Sequence, residues 1–415
     1  MENQTCKGMR DLLPDDMLRF RHIEDKFRTC CLKWGYQEVK TPTLEYIHLF
    51  TSTGTLTPGM LGKVYSFLDW NGWSGERVVL RPDGTIPIAR LYINNLAEQE
   101  IARLSYITNI FSFDETGREN RERWQCGVEF LGSAEAAADA EIILLAREVM
   151  HNLGFDKLGL RLSHAGLVKA LVKELGLSPG EETKMVSRLL DGDWQALTAV
   201  KSAKPEIDKL LSSLLDLKGK SSGFLHNAKA LSLQASQDIK SNLDDFITIA
   251  TLLDSLGCNY EIDIKAITGF EYYTGTCFQL SLGGETVGSG GRYNDLIPLM
   301  GGRNVPACGF ALYVDPLMNL LPLRSAEGDE PKVLVKAEDV TPEAIELCFS
   351  LAKSLRDAGY TTLFDFASQG KFDYCWSIVV PKKKSSPFTI TNRKQGKQRR
   401  VVSITEILDV IERQS

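Results

Sequence analysis

The sequence predicts an α+β fold, in which antiparallel strands and helices occupy separate stretches of the chain. Three observations lead to this class. The segments SYITNIFSF and RWQCGVEFLG read as two long strands joined by a polar loop, QLSLGGETVG has the form of a hairpin, and residues 166–256 repeat apolar side chains at helical spacing. Separate runs of strands and of helices are typical of α+β proteins.

Composition bounds the kind of protein and its surroundings. At 415 residues, with 43% apolar and 25% charged side chains, the chain can form two or three domains with a well-buried core. The net charge of -6 gives no general attraction to nucleic acid. Nine cysteines lack CxxC pairs, and neither a signal peptide nor an 18-residue apolar run is visible. We expect a cytoplasmic protein with no membrane span, no metal and no cofactor.

The first 90 residues alternate helix and strand. A helix opens at Pro14 and stops at Gly35, and strands are expected over residues 36–46 and 64–69. The block VVLRPDGTIPIAR then predicts a strand, a turn at Asp83-Gly84 and a helix that starts near Thr85. Asp83 and Thr85 either hold a ligand's ammonium group or serve only as turn and cap residues.

The strand RWQCGVEFLG carries polar side chains on one face. Its period of two places Gln125, Gly127 and Glu129 together. Burying an amide without a partner costs roughly 2 to 7 kcal/mol, and a carboxylate costs more, so a ligand or an internal hydrogen-bond network must satisfy them.

The remaining elements divide the chain into domains. We expect a core over residues 1–325, with a helix at 139–153, a mostly helical insertion at about 166–256 and a hairpin turn at Gly283-Gly284. The polar stretch 323–332 is the predicted linker, and residues 332–415 form a small α/β domain. Its basic stretch, residues 382–400, has the composition of a solvated hairpin rather than of an RNA-binding surface.

Six segments together resemble histidyl-tRNA synthetases across about residues 7–320: GMRDLLP, TPTLEY, LRPDGT, QCGVEFLG, GFEYYTGT and GGRYNDL. We call GFEYYTGT, residues 269–276, the histidine box. The resemblance implies a class II synthetase core, which is an antiparallel sheet flanked by helices, and a homodimer formed through the segment around Pro42. The family's histidine contacts map onto Asp83, Thr85, Gln125, Glu129, Tyr272 and Tyr273.

The same resemblance shows which residues are missing. The three arginines that hold ATP in the family fall at Ser112, Thr268 and Pro316, and Tyr313 replaces a small glycine beside the nucleotide. Losing an arginine that meets phosphoryl charge can cost on the order of 10³ to 10⁵ in rate, so we expect no adenylation and no catalytic residues.

A sequence that keeps the residues of a histidine pocket but lacks the arginines for ATP activation resembles the synthetase-related regulatory subunits of ATP phosphoribosyltransferase. Those subunits are not enzymes themselves. That family resemblance implies a short catalytic subunit as partner, a hetero-octamer of four plus four chains, and feedback inhibition by L-histidine in the first step of histidine biosynthesis.

Two alternatives stay open. A divergent, active histidine–tRNA ligase would need Arg118, Arg121 or Arg292 to hold the phosphates. A synthetase-like histidine sensor could instead serve another pathway. The C-terminal domain is shortened relative to an anticodon-binding domain, so a nucleic acid partner is not expected.

Overall fold

The computed structural model describes most of the chain. The described ranges are residues 5–53, 62–70, 75–113, 120–190, 192–200, 202, 205–216, 218–266, 273–322, 332–366, 373–383 and 385–413. The chain divides into two compact units, Met1–Pro322 and Leu323–Ser415. Within the described ranges, no helix combines the length and the apolarity needed to cross a bilayer.

The first unit opens with α1 (Pro14–Lys33) and the short strand β1 (Gln37–Glu38). Pro14 suits the first helical turn because its missing N–H has no partner there in any helix. Gly35 follows the helix with a φ of +81°, a conformation that favours glycine. The predicted helix is therefore confirmed.

A small sheet follows, in the order β2-β4-β3. Its elements in chain order are β2 (Leu44–Tyr46), α2 (His48–Thr51), β3 (Ser66–Trp70) and β4 (Gly75–Leu80), and α3 (Thr85–Asn95) comes next. The strand expected over 36–46 is wrong as a single element, because the chain leaves β1 before Pro42 and joins a different sheet at Leu44. The Arg81 guanidinium fixes this crossing by donating to the carbonyl oxygens of Thr41 and Pro42 at 2.9 and 2.8 Å.

The large sheet begins with the predicted pair of long strands. These are β5 (Ala102–Phe111) and β6 (Glu122–Leu131), which are antiparallel and are followed by α4 (Ala136–Asn152) and β7 (Gly159–His164). The expected helical insertion then appears as α5 (Ala165–Glu174), α6 (Pro179–Leu190), α7 (Gln195–Ala199), α8 (Pro205–Leu215), α9 (Gly223–Leu231) and α10 (Gln237–Ser255).

The sheet is completed by later strands. They are β8 (Glu261–Ile262), β9 (Thr276–Leu282), β10 (Glu285–Arg292) and, after α11 (Leu296–Leu299), β11 (Ala307–Tyr313); α12 (Val314–Leu320) closes the unit. The strand order is β1-β5-β6-β11-β10-β9-β7-β8, with antiparallel pairs throughout except for the parallel pairs at the two edges. The predicted Gly283-Gly284 turn joins β9 to β10, with φ of +58° and +93°.

The core of the first unit lies between this sheet and its helices. The side of α4 that packs inward carries Ile142, Ile143, Ala146, Val149 and Met150, all fully buried, and α4 lies against α10. The helices cover one face of the sheet, and the polar residues of β6 lie on the opposite face.

The described residues of the second unit form a five-stranded sheet and two helices. In chain order it contains β12 (Val333–Ala337), α13 (Pro342–Asp357), β13 (Thr362–Asp365), β14 (Trp376–Val380), β15 (Phe388–Asn392), β16 (Gln398–Val401) and α14 (Ile404–Glu412). The order is β13-β12-β14-β15-β16. The basic stretch forms the β15–β16 hairpin, where its described Lys and Arg side chains are exposed.

Candidate functional site

The floor of the candidate site is one face of three neighbouring strands. Glu129 on β6 lies opposite Gly309 on β11, which lies opposite Gly291 on β10. Directly opposed residues of antiparallel strands point to the same face. A Cβ at Gly309 would stand 2.0 Å from Oε2 of Glu129, so only glycine leaves room for the carboxyl group.

Glu129 is the buried acid at the centre of this floor. The residue is 1% exposed. The hydroxyl of Tyr106 donates to its Oε1 at 3.0 Å, and the hydroxyl of Tyr293 donates to its Oε2. Burial raises the pKa of Glu129 to about 8, and the nearby charge of Asp83 acts in the same direction, against hydrogen bonds from the tyrosines and Thr85. At neutral pH the carboxyl group is therefore mostly protonated when no ligand is bound.

Tyr106 holds one side of this acid. Its ring occupies the space beside Gly127 and Gly84, where a Cβ would stand 2.1 and 2.6 Å from ring atoms. Burial raises the pKa of Tyr106, as does the neighbouring Glu129, so the phenol stays a neutral donor. The glycine of QCGVEFLG thus makes room for an aromatic ring from β5.

Asp83 and Thr85 lie where β4 gives way to α3. Oδ1 of Asp83 accepts a hydrogen bond from the Ile86 N–H at 2.9 Å, so this carboxylate does cap the helix. Its negative charge also raises the pKa of both Glu129 and Tyr106. Thr85 is buried and hydrogen-bonds with Glu129 and Tyr106. Asp83 therefore caps a helix, which is one of the two roles that the sequence left open, and it lies close enough to Glu129 to shift the pKa of that acid.

Gln125 and Tyr313 continue the floor along the strands. Gln125, which is 9% exposed, lies opposite Tyr313 on β11. The Tyr313 hydroxyl is 2.6 Å from Oγ of Ser289 on β10. Tyr313, which was predicted to intrude on a nucleotide, is thus held by a hydrogen bond to Ser289 on the same face of the sheet.

Tyr273 reaches the floor from the histidine box. Its ring packs against Gly291, where a Cβ would stand 3.1 Å from the Tyr273 Cδ1 atom, and the residue is 5% exposed. Tyr272 and Thr268 lie outside the described residues. Of the six predicted pocket residues, the structure therefore brings Asp83, Thr85, Gln125, Glu129 and Tyr273 to one face.

Sequence reasoning missed two residues of this site. Tyr293 belongs to the quoted motif GGRYNDL, so the motif itself was the available signal. Tyr106 gave no signal, because its place opposite Gly127 follows only from the register of β5 and β6.

Two positions that lack the family's arginines are described. Ser112 directly follows β5, and its N–H donates to the Arg121 carbonyl oxygen at 2.9 Å. Pro316 lies in the first turn of α12. Neither side chain carries a charge that could meet a phosphate.

The buried arginine Arg292 is fully engaged elsewhere. Its guanidinium forms an ion pair with Asp139, with Nη2 2.5 Å from Oδ2, and donates to the Ser133 carbonyl oxygen at 2.8 Å. Both side chains of the pair are almost completely buried. Breaking such a pair would leave an uncompensated buried charge, so Arg292 does not turn towards a phosphate.

Arg81 and Arg121 are also held by protein groups. Besides its bonds to Thr41 and Pro42, Arg81 donates to the Asn109 side-chain oxygen at 2.6 Å. The Arg121 guanidinium lies 4.4 Å from the centre of the Phe113 ring and donates to the Tyr65 hydroxyl at 3.2 Å. Arg118 is outside the described residues, and Arg123 is exposed.

The sheet and the site together define a histidyl-tRNA synthetase-like core. A profile of the histidyl-tRNA synthetase family matches residues 8–317. An ATP phosphoribosyltransferase regulatory subunit of Dehalococcoides mccartyi is 46% identical over 407 residues, which is 97% of each chain. A histidine–tRNA ligase of Methanosarcina acetivorans is 29% identical, with 98% of this chain and 97% of that protein covered.

The likeness extends to three dimensions. A crystal structure of an ATP phosphoribosyltransferase regulatory subunit/histidyl-tRNA synthetase from Bacillus halodurans C aligns with a TM-score of 0.77 at 25% identity, covering 92% of this chain and 99% of that chain. The chain belongs to the histidyl-tRNA synthetase family and, within it, to the ATP phosphoribosyltransferase regulatory subunits.

Proposed function

We propose that this chain is a non-catalytic regulatory subunit of ATP phosphoribosyltransferase that binds L-histidine in the pocket around Glu129. The observation that carries the proposal is that almost all of the described arginines near the site are already engaged by other protein groups. Buried polar side chains that could bind a small ligand share one face of the sheet. In contrast, each described arginine that could replace the family's ATP contacts is buried, paired or stacked, apart from the exposed Arg123.

The pocket's chemistry suits histidine. Asp83, Gln125 and Glu129 offer acceptors for an α-ammonium group or an imidazole N–H, and Tyr106, Tyr273 and Tyr293 supply apolar ring faces. Binding a cationic group beside Glu129 would favour its ionised form, because an opposite charge lowers a carboxyl pKa. Tyr272 is expected to complete this set.

The partner is a short ATP phosphoribosyltransferase catalytic subunit, and the assembly is a hetero-octamer of four chains of each kind in the cytoplasm. Two regulatory chains pair through the core, around Pro42. Histidine can inhibit the assembly only if it binds its active and inactive states with different affinity, and a coupling of roughly 1 to 3 kcal/mol is sufficient.

The test reconstitutes the assembly with a short ATP phosphoribosyltransferase catalytic subunit from the same organism. Turnover of ATP and phosphoribosyl pyrophosphate is measured for the catalytic subunit alone, with this chain, and with added histidine. We expect turnover to rise with this chain and to fall with histidine. An unchanged turnover on mixing would contradict the regulatory role.

A matched pair of variants locates the histidine site. Glu129→Gln should weaken inhibition by histidine at least tenfold while the activation by this chain persists. Glu98→Gln changes an exposed acid of the same unit and should behave as wild type. Equal inhibition of the two variants would place the histidine site elsewhere.

A further inference from the structure

The end of the histidine box is fastened to the sheet. The Thr274 N–H donates to the Arg292 carbonyl oxygen at 2.7 Å, and the Asn294 N–H donates to Oγ1 of Thr274 at 2.9 Å. These bonds hold Thr274 beside the end of β10, one residue beyond Tyr273. The position of Tyr273 itself depends on the contacts of its own backbone carbonyl group.

The helical insertion holds the same segment from the other side. The Ala165 N–H at the start of α5 donates to the Gly275 carbonyl oxygen at 2.9 Å. At Gly166, a Cβ would stand 2.5 Å from the Thr274 carbonyl oxygen, so the first turn of α5 lies directly against the box. The insertion is therefore in contact with the pocket's wall.

Lys169, one turn further along α5, completes this contact. Its Nζ donates to the Tyr273 carbonyl oxygen at 2.8 Å, and the side chain is partly buried. A hydrogen bond from a charged donor is roughly twice as strong as a neutral one. Because the Tyr273 ring packs on Gly291, a shift of this carbonyl group would move the ring across the floor of the site.

We propose that Lys169 is a positioning residue for the ligand pocket: from the helical insertion it fixes Tyr273 against the floor, and it couples occupancy of the pocket to the packing of α5. The identity of the ligand rests on the proposed function, whereas the positioning of Tyr273 is a property of the unliganded chain.

Amide hydrogen exchange of the unliganded protein tests the positioning directly. Lys169→Met should speed exchange at Thr274 and Gly275 by tenfold or more and leave β5 and β6 unchanged. Lys169→Arg, which keeps a charged donor, should restore wild-type exchange. Lys173→Met removes an exposed lysine one turn away, whose Nζ is 3.4 Å from Asp238, and is the matched control. Equal exchange in wild type and Lys169→Met would overturn the proposal.

Calorimetric titration with L-histidine tests the coupling. We expect Lys169→Met to weaken binding by about tenfold, with Lys169→Arg and Lys173→Met close to wild type. Histidine should protect α5 from exchange in wild type, Lys169→Arg and Lys173→Met, but not in Lys169→Met. An unaltered affinity in Lys169→Met would refute the coupling. If wild type binds no histidine, the proposed ligand is wrong, and the exchange result still decides the role of Lys169.

Discussion

Glu129 determines the chemistry of the pocket at the scale of a single residue. Its carboxyl group is buried on a floor of glycines, and its hydrogen bonds come from two tyrosine hydroxyls and Thr85. The fold tolerates this acid because it is neutral near pH 7, since burial raises its pKa. A cationic group placed beside Glu129 would favour the ionised form, because an opposite charge lowers a carboxyl pKa.

The raised pKa of Glu129 makes stability depend on pH. Between the unfolded value of about 4.5 and the native value of about 8, the folded state holds a proton that the unfolded chain has lost. The free energy of unfolding should therefore fall as pH rises through this window, by up to about 1.4 kcal/mol per pH unit from this group, and level off above pH 8.

Urea denaturation between pH 5 and 9 measures this slope. Glu129→Gln should lack the fall in the free energy of unfolding that Glu129 causes in wild type. The variant should therefore gain stability relative to wild type as pH rises. Glu98→Gln should keep the wild-type slope. Parallel curves for wild type and Glu129→Gln would mean that Glu129 is ionised in the folded chain.

The Asp139–Arg292 pair is a second prediction at this scale. Asp139→Ala should lower the free energy of unfolding by about 3 to 5 kcal/mol, because it leaves the Arg292 guanidinium buried without its counter-charge. Asp238→Ala breaks an exposed ion pair with Lys173 and should cost less than about 1 kcal/mol. Urea midpoints compare the two. A small effect of Asp139→Ala would show that Arg292 is able to turn elsewhere.

At the scale of elements, the proposed pocket depends on glycines on the same face of β6, β10 and β11. Gly127, Gly291 and Gly309 leave the space that Tyr106, Tyr273 and Glu129 fill. The absence of side chains at these three strand positions therefore creates the space that the pocket residues occupy.

Gly309→Ala tests this arrangement. Its Cβ would stand 2.0 Å from the Glu129 carboxylate and 2.4 Å from the Val128 carbonyl oxygen, and the backbone atom cannot move aside freely. We expect a loss of roughly 1 to 3 kcal/mol in the free energy of unfolding and a loss of histidine binding.

Gly180→Ala is the control for this substitution. No atom lies within 4 Å of a Cβ at Gly180, which is in the first turn of α6, so the change should be neutral or stabilising by up to about 1 kcal/mol. A Gly309→Ala protein as stable as wild type, with unchanged histidine affinity, would contradict the account of the floor.

The elements also show what the sequence could predict. Local patterns were sufficient for α1, for the start of α3 at Thr85, for the polar face of β6 and for the turn between β9 and β10, because each depends on residues a few positions apart. The break between β1 and β2 depends on Arg81, about 40 residues away, and could not be predicted locally. Tyr106 was missed for the same reason, since it meets Glu129 only through the pairing of β5 with β6.

At the scale of the whole molecule, long-range contacts decide which charges are available. Arg292 and Asp139 are 153 residues apart in sequence, so no pattern could reveal that this arginine is paired. Resemblance to the family indicated the positions without arginine, and the structure adds where the described arginines are held. The two together support the proposal that the chain binds an amino acid without activating it.

The most direct measurement is histidine-dependent exchange of pyrophosphate into ATP by the purified chain, with an active histidine–tRNA ligase as positive control. We predict no exchange above background at any histidine concentration, because no described buried arginine is left to hold the triphosphate. Exchange at a rate approaching that of the ligase, or histidyl-adenylate recovered from the reaction, would contradict the account.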